Sequence, residues 1–515
     1  MRVKKNYFFW RHKHRKNLFK WLALTSAIAL SIGLIANSQE VIQGIKTKTN
    51  IFQNANSSTQ APSFIKSRVV VMTDIGDDPD DQQSMVRFLS YANDFDIEGI
   101  TVTPLYRPGR PNSVAASMAK MDNILNAYGS VHGNLVLHDP TFPAKDYLKS
   151  VTKTGNHGLK FYTYGRETNI EDWIGEGNTP SGPEWPAQPK DSDASKLIVS
   201  ILEKNDPRPI WFLAWGGTYP LAQALYRIEH SGRSSTEIAA MKSKIRLYDI
   251  DGQDTTFPNY IQTSHKDIKL IASRVTFNQV HTPQNPDHNY KDSNWVNTNI
   301  RNNHGELGAQ YPNYSGDVDG VKEGDTPTFL HLIPNGLSDS EKPDWGNWGG
   351  RYQLNTSIGS QWYEDITDQS GLNMWGRLVE SSIPQWRKEF QNDFAARMDW
   401  HTKSYADANH HPIAVFNGDK SKDVVLLNIS PGQTVTLNAA GSSDPDGDSL
   451  SYRWFHYEKP GTYSGSVALS DATSNKASFV APNDVGKTIH IILEVRDKGT
   501  PTLVSYRRIV FTIKN

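Results

Sequence analysis

A buried-looking apolar run that ends in a knot of aspartates does most to limit how this chain folds. Arg68-Val69-Val70-Val71-Met72 is followed at once by Thr73-Asp74-Ile75-Gly76-Asp77-Asp78-Pro79-Asp80-Asp81. A β-branched run with no polar alternation marks a strand covered on both faces, as in a parallel sheet. Five aspartates in eight positions directly after it repel one another unless a cation neutralises them. Hard oxygen ligands on one turn suit calcium or magnesium. A solvated turn leading into a helix, whose first turn favours acidic residues, accounts for two of them but not for five.

Downstream, the same rhythm continues. Helical spacing over 82–92 puts Met85, Phe88 and Leu89 on one face, Ile97–Val102 reads as a second strand, and 113–128 as a helix. Further helices are expected at 194–204 and 219–228, and further strands at 209–214, 244–250 and 268–271. Strands alternating with helices imply a parallel α/β sheet whose functional loops lie at the strands' carboxyl ends. Residues 277–360 read as irregular but are too rich in aromatics for disorder, and 382–406 closes the domain as a helical segment. After His411-Pro412 the pattern turns all-β, with short alternating runs at 424–429, 434–438, 451–456, 476–480, 488–496 and 505–513, the mark of a sandwich of about a hundred residues.

The start of the chain stands apart. Residues 2–20 carry eight Lys or Arg and no acid, and Trp21 to Ala36 is uncharged and apolar. Ala36-Asn37-Ser38 then offers small residues at the spacing of a signal-peptidase site. The organisation expected is a signal peptide or anchor over 1–38, a polar linker over 39–66, an α/β domain over 67–410 and a β-sandwich over 411–515. Either reading of 1–38 exports the rest, as a secreted, periplasmic or cell-surface protein, and membrane contact is expected through this segment alone. With no cysteine there are no disulfides, thiolate metal sites or lipid-modified cysteines. A formal charge of -1 argues against a nucleic-acid partner, which normally needs a basic stripe. The 14 Trp and 21 Tyr are a rich supply of flat surfaces for sugar rings, as well as of core residues.

The strand, Asp-rich turn and helix resemble the opening of the nucleoside hydrolase family, with Asp80-Asp81 matching its aspartate doublet and Asp74 its early aspartate; Asp77 and Asp78 remain alternatives for the latter. Pro209–Ala222 resembles the family's strand, turn and helix, placing the Trp215 carbonyl on the metal. Gln391–Ala396 resembles a late aspartate opening a helix, placing Asp393 there too. The closest likeness is to a cellulose-binding, nucleoside hydrolase-like subgroup with a C-terminal immunoglobulin-like domain. It is carried by Thr73–Ser84, Glu323-Gly324-Asp325-Thr326-Pro327, Trp345-Gly346-Asn347-Trp348-Gly349-Gly350-Arg351 and Asp393–Trp400. The resemblance implies a mostly parallel sheet flanked by helices, a Ca2+ held by Asp74, Asp81, Trp215 and Asp393, and Asp74 or Asp80 as the base that activates water.

The function so implied is calcium-dependent hydrolysis of N-glycosyl or glycosidic bonds on a sugar-containing substrate. The alternative is a polysaccharide-binding protein, such as one for cellulose, without turnover. Departures from the family's sugar-binding positions, such as Thr101–Leu105 without an asparagine, argue against a nucleoside and leave a sugar ligand. Gln253, Asp254 and Asn259 are candidate sugar contacts, or simply a polar turn. Trp345, Trp348 and Arg351 are candidates for lining a glycan cleft, or for a packed Trp-Gly loop. His157 is the histidine candidate for protonating a leaving group. Asp444-Pro445-Asp446-Gly447-Asp448 resembles turns of bacterial immunoglobulin- and cadherin-like modules; it reads as an Asx turn, or as a calcium turn completed by Glu494 and Asp497.

Overall fold

The computed structural model describes residues 65–76, 79–104, 113–156, 170, 174–179, 187–281, 290–316, 319–372 and 376–515. Its centre is an eight-stranded sheet: β1 (Ser67–Thr73), β2 (Phe95–Val102), β3 (Thr152–Thr154), β4 (Ile210–Ala214), β5 (Ile245–Ile250), β6 (Lys269–Ser273), β7 (Tyr352–Leu354) and β8 (Trp362–Asp365). The order across it is β3-β2-β1-β4-β5-β6-β8-β7, parallel throughout except for the terminal β8–β7 pair.

The apolar run of β1 is explained by its two coats. Val69 and Val71 join a core with Met85, Phe88 and Leu89 of α1 (Pro79–Ser90) and Met121, Ile124 and Leu125 of α2 (Val114–His138). Val70 and Met72 face the other way, onto Ile198 and Leu202 of α3 (Asp193–Glu203) and Leu221 and Leu225 of α4 (Tyr219–Glu229). Both faces are buried over Val69–Met72, which is why this stretch carries no polar residue.

Beyond the unforeseen short strand β3 and an α2 that runs on to His138, two longer stretches differ from expectation. The stretch read as irregular from 277 onward has little regular structure, yet Phe277, Trp295, Ile300, Leu307, Tyr311, Phe329 and Trp348 all sit in the first core. Its last residues form β7, and β8 follows just after it, both too short for a periodicity to register. The closing helical segment is one helix, α6 (Arg387–Asp399), flanked by 3-10 turns at Pro384–Trp386 and Tyr405–Asp407, after the short helix α5 (Pro327–Leu330) upstream. Among the described residues no helix is long and apolar enough to cross a membrane.

The C-terminal strands are β9 (Val425–Ile429), β10 (Thr434–Asn438), β11 (Ser451–His456), β12 (Lys476–Val480), β13 (Thr488–Arg496) and β14 (Val504–Ile513). They form one sheet in the order β9-β14-β13-β11 and a second pair, β10–β12, around Leu437, Trp454, Phe479, Ile491 and Phe511. Alternate residues of β13 and β14 face outward into the core of the larger domain, where Ile492, Val504 and Tyr506 join its apolar cluster. The backbone follows: Tyr506 N donates to Asn335 O at 2.9 Å and Arg508 N to Gly336 O at 3.0 Å. Gly336 has φ +87°, and a Cβ there would lie 1.9 Å from Tyr506 O, so only glycine permits this approach.

The same seam buries His331. Its Nε2 faces Ser340 O at 3.1 Å and its Nδ1 faces the Asn347 amide nitrogen at 3.0 Å, an arrangement that fits the neutral ring with its proton on Nε2. Burial pushes its pKa down from 6.5 to about 4. A histidine depressed by folding contributes fully above the unfolded pKa and loses that contribution as pH falls through the window from 6.5 to about 4. Urea unfolding of the wild-type chain and of His331→Gln, run from pH 7 to pH 4, is therefore expected to show the wild-type advantage shrinking by about 3 kcal/mol. A constant gap would mean that the ring is not held neutral.

Candidate metal centre

Where β4 is paired with β1 the direction of strand addition reverses, and the connections leave to opposite sides. That opens a crevice at the carboxyl ends of the two strands. Asp74 follows β1 there, buried to 2% exposure. Gly76 turns the chain with φ +113° and α1 begins at Pro79, which puts Asp80 and Asp81 in its first turn. The Asp81 carboxylate accepts from the Thr73 hydroxyl, which in turn accepts from Ile75 N at 3.1 Å, so strand end, turn and helix start are knitted together. From far along the chain, Asp325 arrives just before α5. Its carbonyl accepts from the Thr328 hydroxyl at 2.8 Å, and that oxygen accepts from the Trp215 indole at 2.8 Å, which locks the Asp325 turn to the end of β4.

One carboxylate oxygen from each of Asp80, Asp81 and Asp325 lies within 4.8 Å of the others. Oxygens bound to one calcium at about 2.4 Å stand at most about 4.8 Å apart, so the donor set fits a single hard cation. Burial, then the neighbouring carboxylates of Asp74 and Asp325, hold the Asp81 carboxyl well above its usual range. A cation would relieve that repulsion.

The β4 turn completes the rim. A Cβ on Gly216 would lie 2.7 Å from Asp74 Cβ, so the backbone passes directly against that carboxylate. Trp215 is fully buried, and its carbonyl accepts from the Gln253 amide, leaving a second lone pair for an ion. Asp254 is committed locally: it accepts from Tyr219 N at 3.0 Å and from Thr256 N at 2.8 Å, tying the loop after β5 to the start of α4. A Cβ on Gly217 would fall 2.0 Å from that carboxylate. Asn259 is exposed on a single π-helical turn, Phe257–Ile261.

The other candidates lie elsewhere. Asp393 is a correction: the structure does not bring it to the aspartate cluster. It ion-pairs with Arg397 Nε at 2.9 Å and faces His411 Nε2 at 2.6 Å, and against the cost of burial these neighbours hold its carboxyl below the usual range. Arg397 lies over the ring of Tyr91, just past the last residue of α1. Asp81 is at the opposite end of that helix, about 15 Å away at 1.5 Å per residue. The carboxylate that does lie beside Asp80 and Asp81 is that of Asp325. Its signal was an aspartate two residues before a helix-starting proline, the same pattern as Asp77-Asp78-Pro79.

Trp348 is likewise corrected. It is wholly buried against Phe390 and Tyr506, so it has no face for a sugar. Trp345 sits edge-on to His490 of the sandwich at 4.9 Å, and Arg351 pairs with Glu380. The Trp-Gly loop is thus a joint between domains. His157, Asp77 and Asp78 lie outside the described residues. In the sandwich, Asp444 accepts from the amides of Asp446 and Asp448, an Asx turn, while Asp446 accepts from His410 N at 2.6 Å.

Residues 68–352 match the family model described as cellulose-binding Sde182, nucleoside hydrolase-like domain. The chain belongs to that family. Residues 434–513 match the model of its C-terminal domain, described as that of cellulose-binding protein Sde0182. A solved structure from Saccharophagus degradans, described as a nucleoside hydrolase-related hypothetical protein associated with carbohydrate metabolism, is 37% identical. It covers 87% of this chain and 100% of its own, with a TM-score of 0.70. The PKD domain from KIAA 1837 protein is 25% identical over 18% of this chain and 82% of its own, and the effector protein XOO4466 is 9% identical over 66% and 95%. Their TM-scores of 0.14 and 0.35 carry no argument. No curated protein matches.

Two substitutions separate the aspartates. Asp325→Asn is expected to weaken calcium binding by about tenfold or more with little loss of stability in chelator. Asp393→Asn is expected to cost about 3 kcal/mol of stability, by leaving buried Arg397 less well paired, and to keep calcium affinity. Calorimetric titration with calcium and urea unfolding read both quantities, and an exchange of the two patterns would restore Asp393 to the metal.

Proposed function

We propose that this family member is an exported, calcium-dependent hydrolase of N-glycosyl or glycosidic bonds, acting on a sugar-containing substrate at the aspartate crevice. One observation carries the reading. Carboxylates of Asp80, Asp81 and Asp325, distant in the chain, converge beside Asp74 where the strand order reverses. Export rests on the basic start of the chain and the uncharged stretch to Ala36.

Calcium bound at this centre would supply positive charge to orient sugar hydroxyls and make a water easier to deprotonate. Asp81, Asp325 and the Trp215 carbonyl would hold it. Asp74 or Asp80, next to those ligands, receives the water's proton. Gln253, half-buried and anchored through its amide nitrogen on the Trp215 carbonyl, meets a sugar hydroxyl. Cleavage passes through an oxocarbenium-like state, and the crowd of carboxylates stabilises its positive charge.

A second reading is favoured by the family's description as cellulose-binding. In it, the same ion takes the hydroxyls of a polysaccharide and no bond is broken.

The two readings part in one experiment. The purified chain is incubated with nucleosides and with insoluble cellulose, in calcium or in chelator. Release of reducing sugar that stops in chelator and falls at least about a hundredfold in Asp81→Asn is the expected result. Retention on cellulose with no release leaves the binding reading. Turnover that persists in both chelator and Asp81→Asn would sink the site assignment.

A further inference from the structure

Four aspartates gathered in a crevice need a frame that resists their repulsion, and the frame is visible behind them. Helix α1, which carries Asp80 and Asp81, is fastened to the segment that delivers Asp325 by a row of polar contacts. Gln82 Nε2 donates to Gln310 O at 2.7 Å. The Gln83 amide donates to Pro312 O at 2.7 Å and Gly320 O at 2.9 Å, and accepts from Lys322 N at 2.5 Å. Two turns into the helix, Arg87 Nε pairs with Glu323 Oε2 at 2.8 Å, both side chains at 0% exposure.

Glu323 is the hub of this frame. Its Oε1 accepts from the Tyr311 hydroxyl at 2.6 Å and its Oε2 from the Thr326 hydroxyl at 2.9 Å, and Thr326 Oγ1 lies 3.1 Å from Ser84 Oγ on α1. Asp325 sits between the two anchored residues, 323 and 326. Arg87 reaches further, to the Gln391 side chain on α6, with its guanidinium 4.1 Å from the centre of the Phe394 ring. A buried ion pair is poor value as a source of stability, because apolar residues of the same volume do as well. What it fixes is position.

We infer that Glu323, held by Arg87, Tyr311 and Thr326, is a positioning residue that sets the affinity of the aspartate centre for its cation. This inference rests on the metal reading of that centre. Glu323 does not touch the ion. It fixes where Asp325 stands relative to Asp81, so that the ligands are already assembled before the cation arrives and little binding free energy goes into ordering them.

The test reads metal affinity apart from folding. Glu323→Gln keeps the shape but leaves Arg87 without its charge partner. Tyr311→Phe and Thr326→Val each remove one hydroxyl and leave that ion pair intact, and Thr326→Ser restores the second. Each full-length variant is titrated with calcium by calorimetry, and its thermal midpoint is measured in chelator and in calcium. Tyr311→Phe and Thr326→Val are expected to bind calcium about tenfold more weakly and to lose much of the calcium-induced rise in midpoint, with midpoints in chelator near wild type. Thr326→Ser is expected to recover the affinity. Equal falls in midpoint with and without calcium, at unchanged affinity, would show that the hub serves folding alone and would overturn the inference. No calcium-dependent rise in the wild-type chain would instead sink the metal reading, and this inference with it.

Discussion

Carboxylates that repel one another stay together only if the backbone beneath them cannot spread. Two unit charges 4 Å apart repel by about 4 kcal/mol at an effective dielectric of about 20. At least three aspartates here meet within 4.8 Å. The frame that holds them starts with β1 and β4, which are central in the sheet, paired residue by residue from Arg68 to Met72, and buried on both faces. Trp215 N donates back to Met72 O at 2.9 Å and Gly216 N to the same oxygen at 3.3 Å, so the two strand ends are laced together at the point where Asp74 emerges. The sheet sets the place of the crevice, and α1 and the Asp325 segment bring carboxylates to it.

Small residues make that convergence possible. Gly216 and Gly217 let the β4 turn lie on Asp74 and Asp254, where any side chain would collide with a carboxylate. Asp254 uses its charge to bind the first turn of α4, at Tyr219 N. It therefore shapes the wall of the crevice rather than waiting for a ligand. Its neighbour Gln253 reaches the Trp215 carbonyl, so one short loop supports the rim with one residue and meets it with the next.

Much of this was legible in the sequence, because burial on two faces leaves a strong imprint. β1, β2, β4, β5 and β6 were readable from apolar runs bounded by turns, and the sandwich strands from their alternation. β7 and β8, of three and four residues, leave too few positions for a period to register. The aspartates at 74, 80 and 81 stood out by local density. Asp325 was harder to find, since its acidic partners are supplied by a segment more than 240 residues earlier and only the fold joins them. Asp393 was placed at the metal by the likeness of Gln391–Ala396 to a late aspartate opening a helix, yet it lies midway along α6, where it is an ion-paired structural carboxylate beside Arg397. Trp345 and Trp348 show the same ambiguity: a Trp-Gly loop packs between domains for the reasons it would stack on a sugar, namely large flat rings and a backbone free to turn.

The position of the sandwich follows from that loop and bears on what the crevice admits. The edge of β9 meets the larger domain at a groove of about 400 Å³ lined by Ser67, Leu332, Ile333, Trp345 and Leu426. Ser67 is the first residue of β1, whereas Asp74 follows its last. Seven residues of extended chain separate them, about 23 Å. At this groove the sandwich therefore grips the amino-terminal edge of the sheet, opposite the aspartates. The seam through Gly336, Tyr506 and Arg508 holds it there, while its Lys459 reaches Asp368, beyond the carboxyl end of β8, at 3.3 Å. Access to the crevice is governed by the loops at the carboxyl ends of the strands, the same loops that carry Asp74 and the β4 turn.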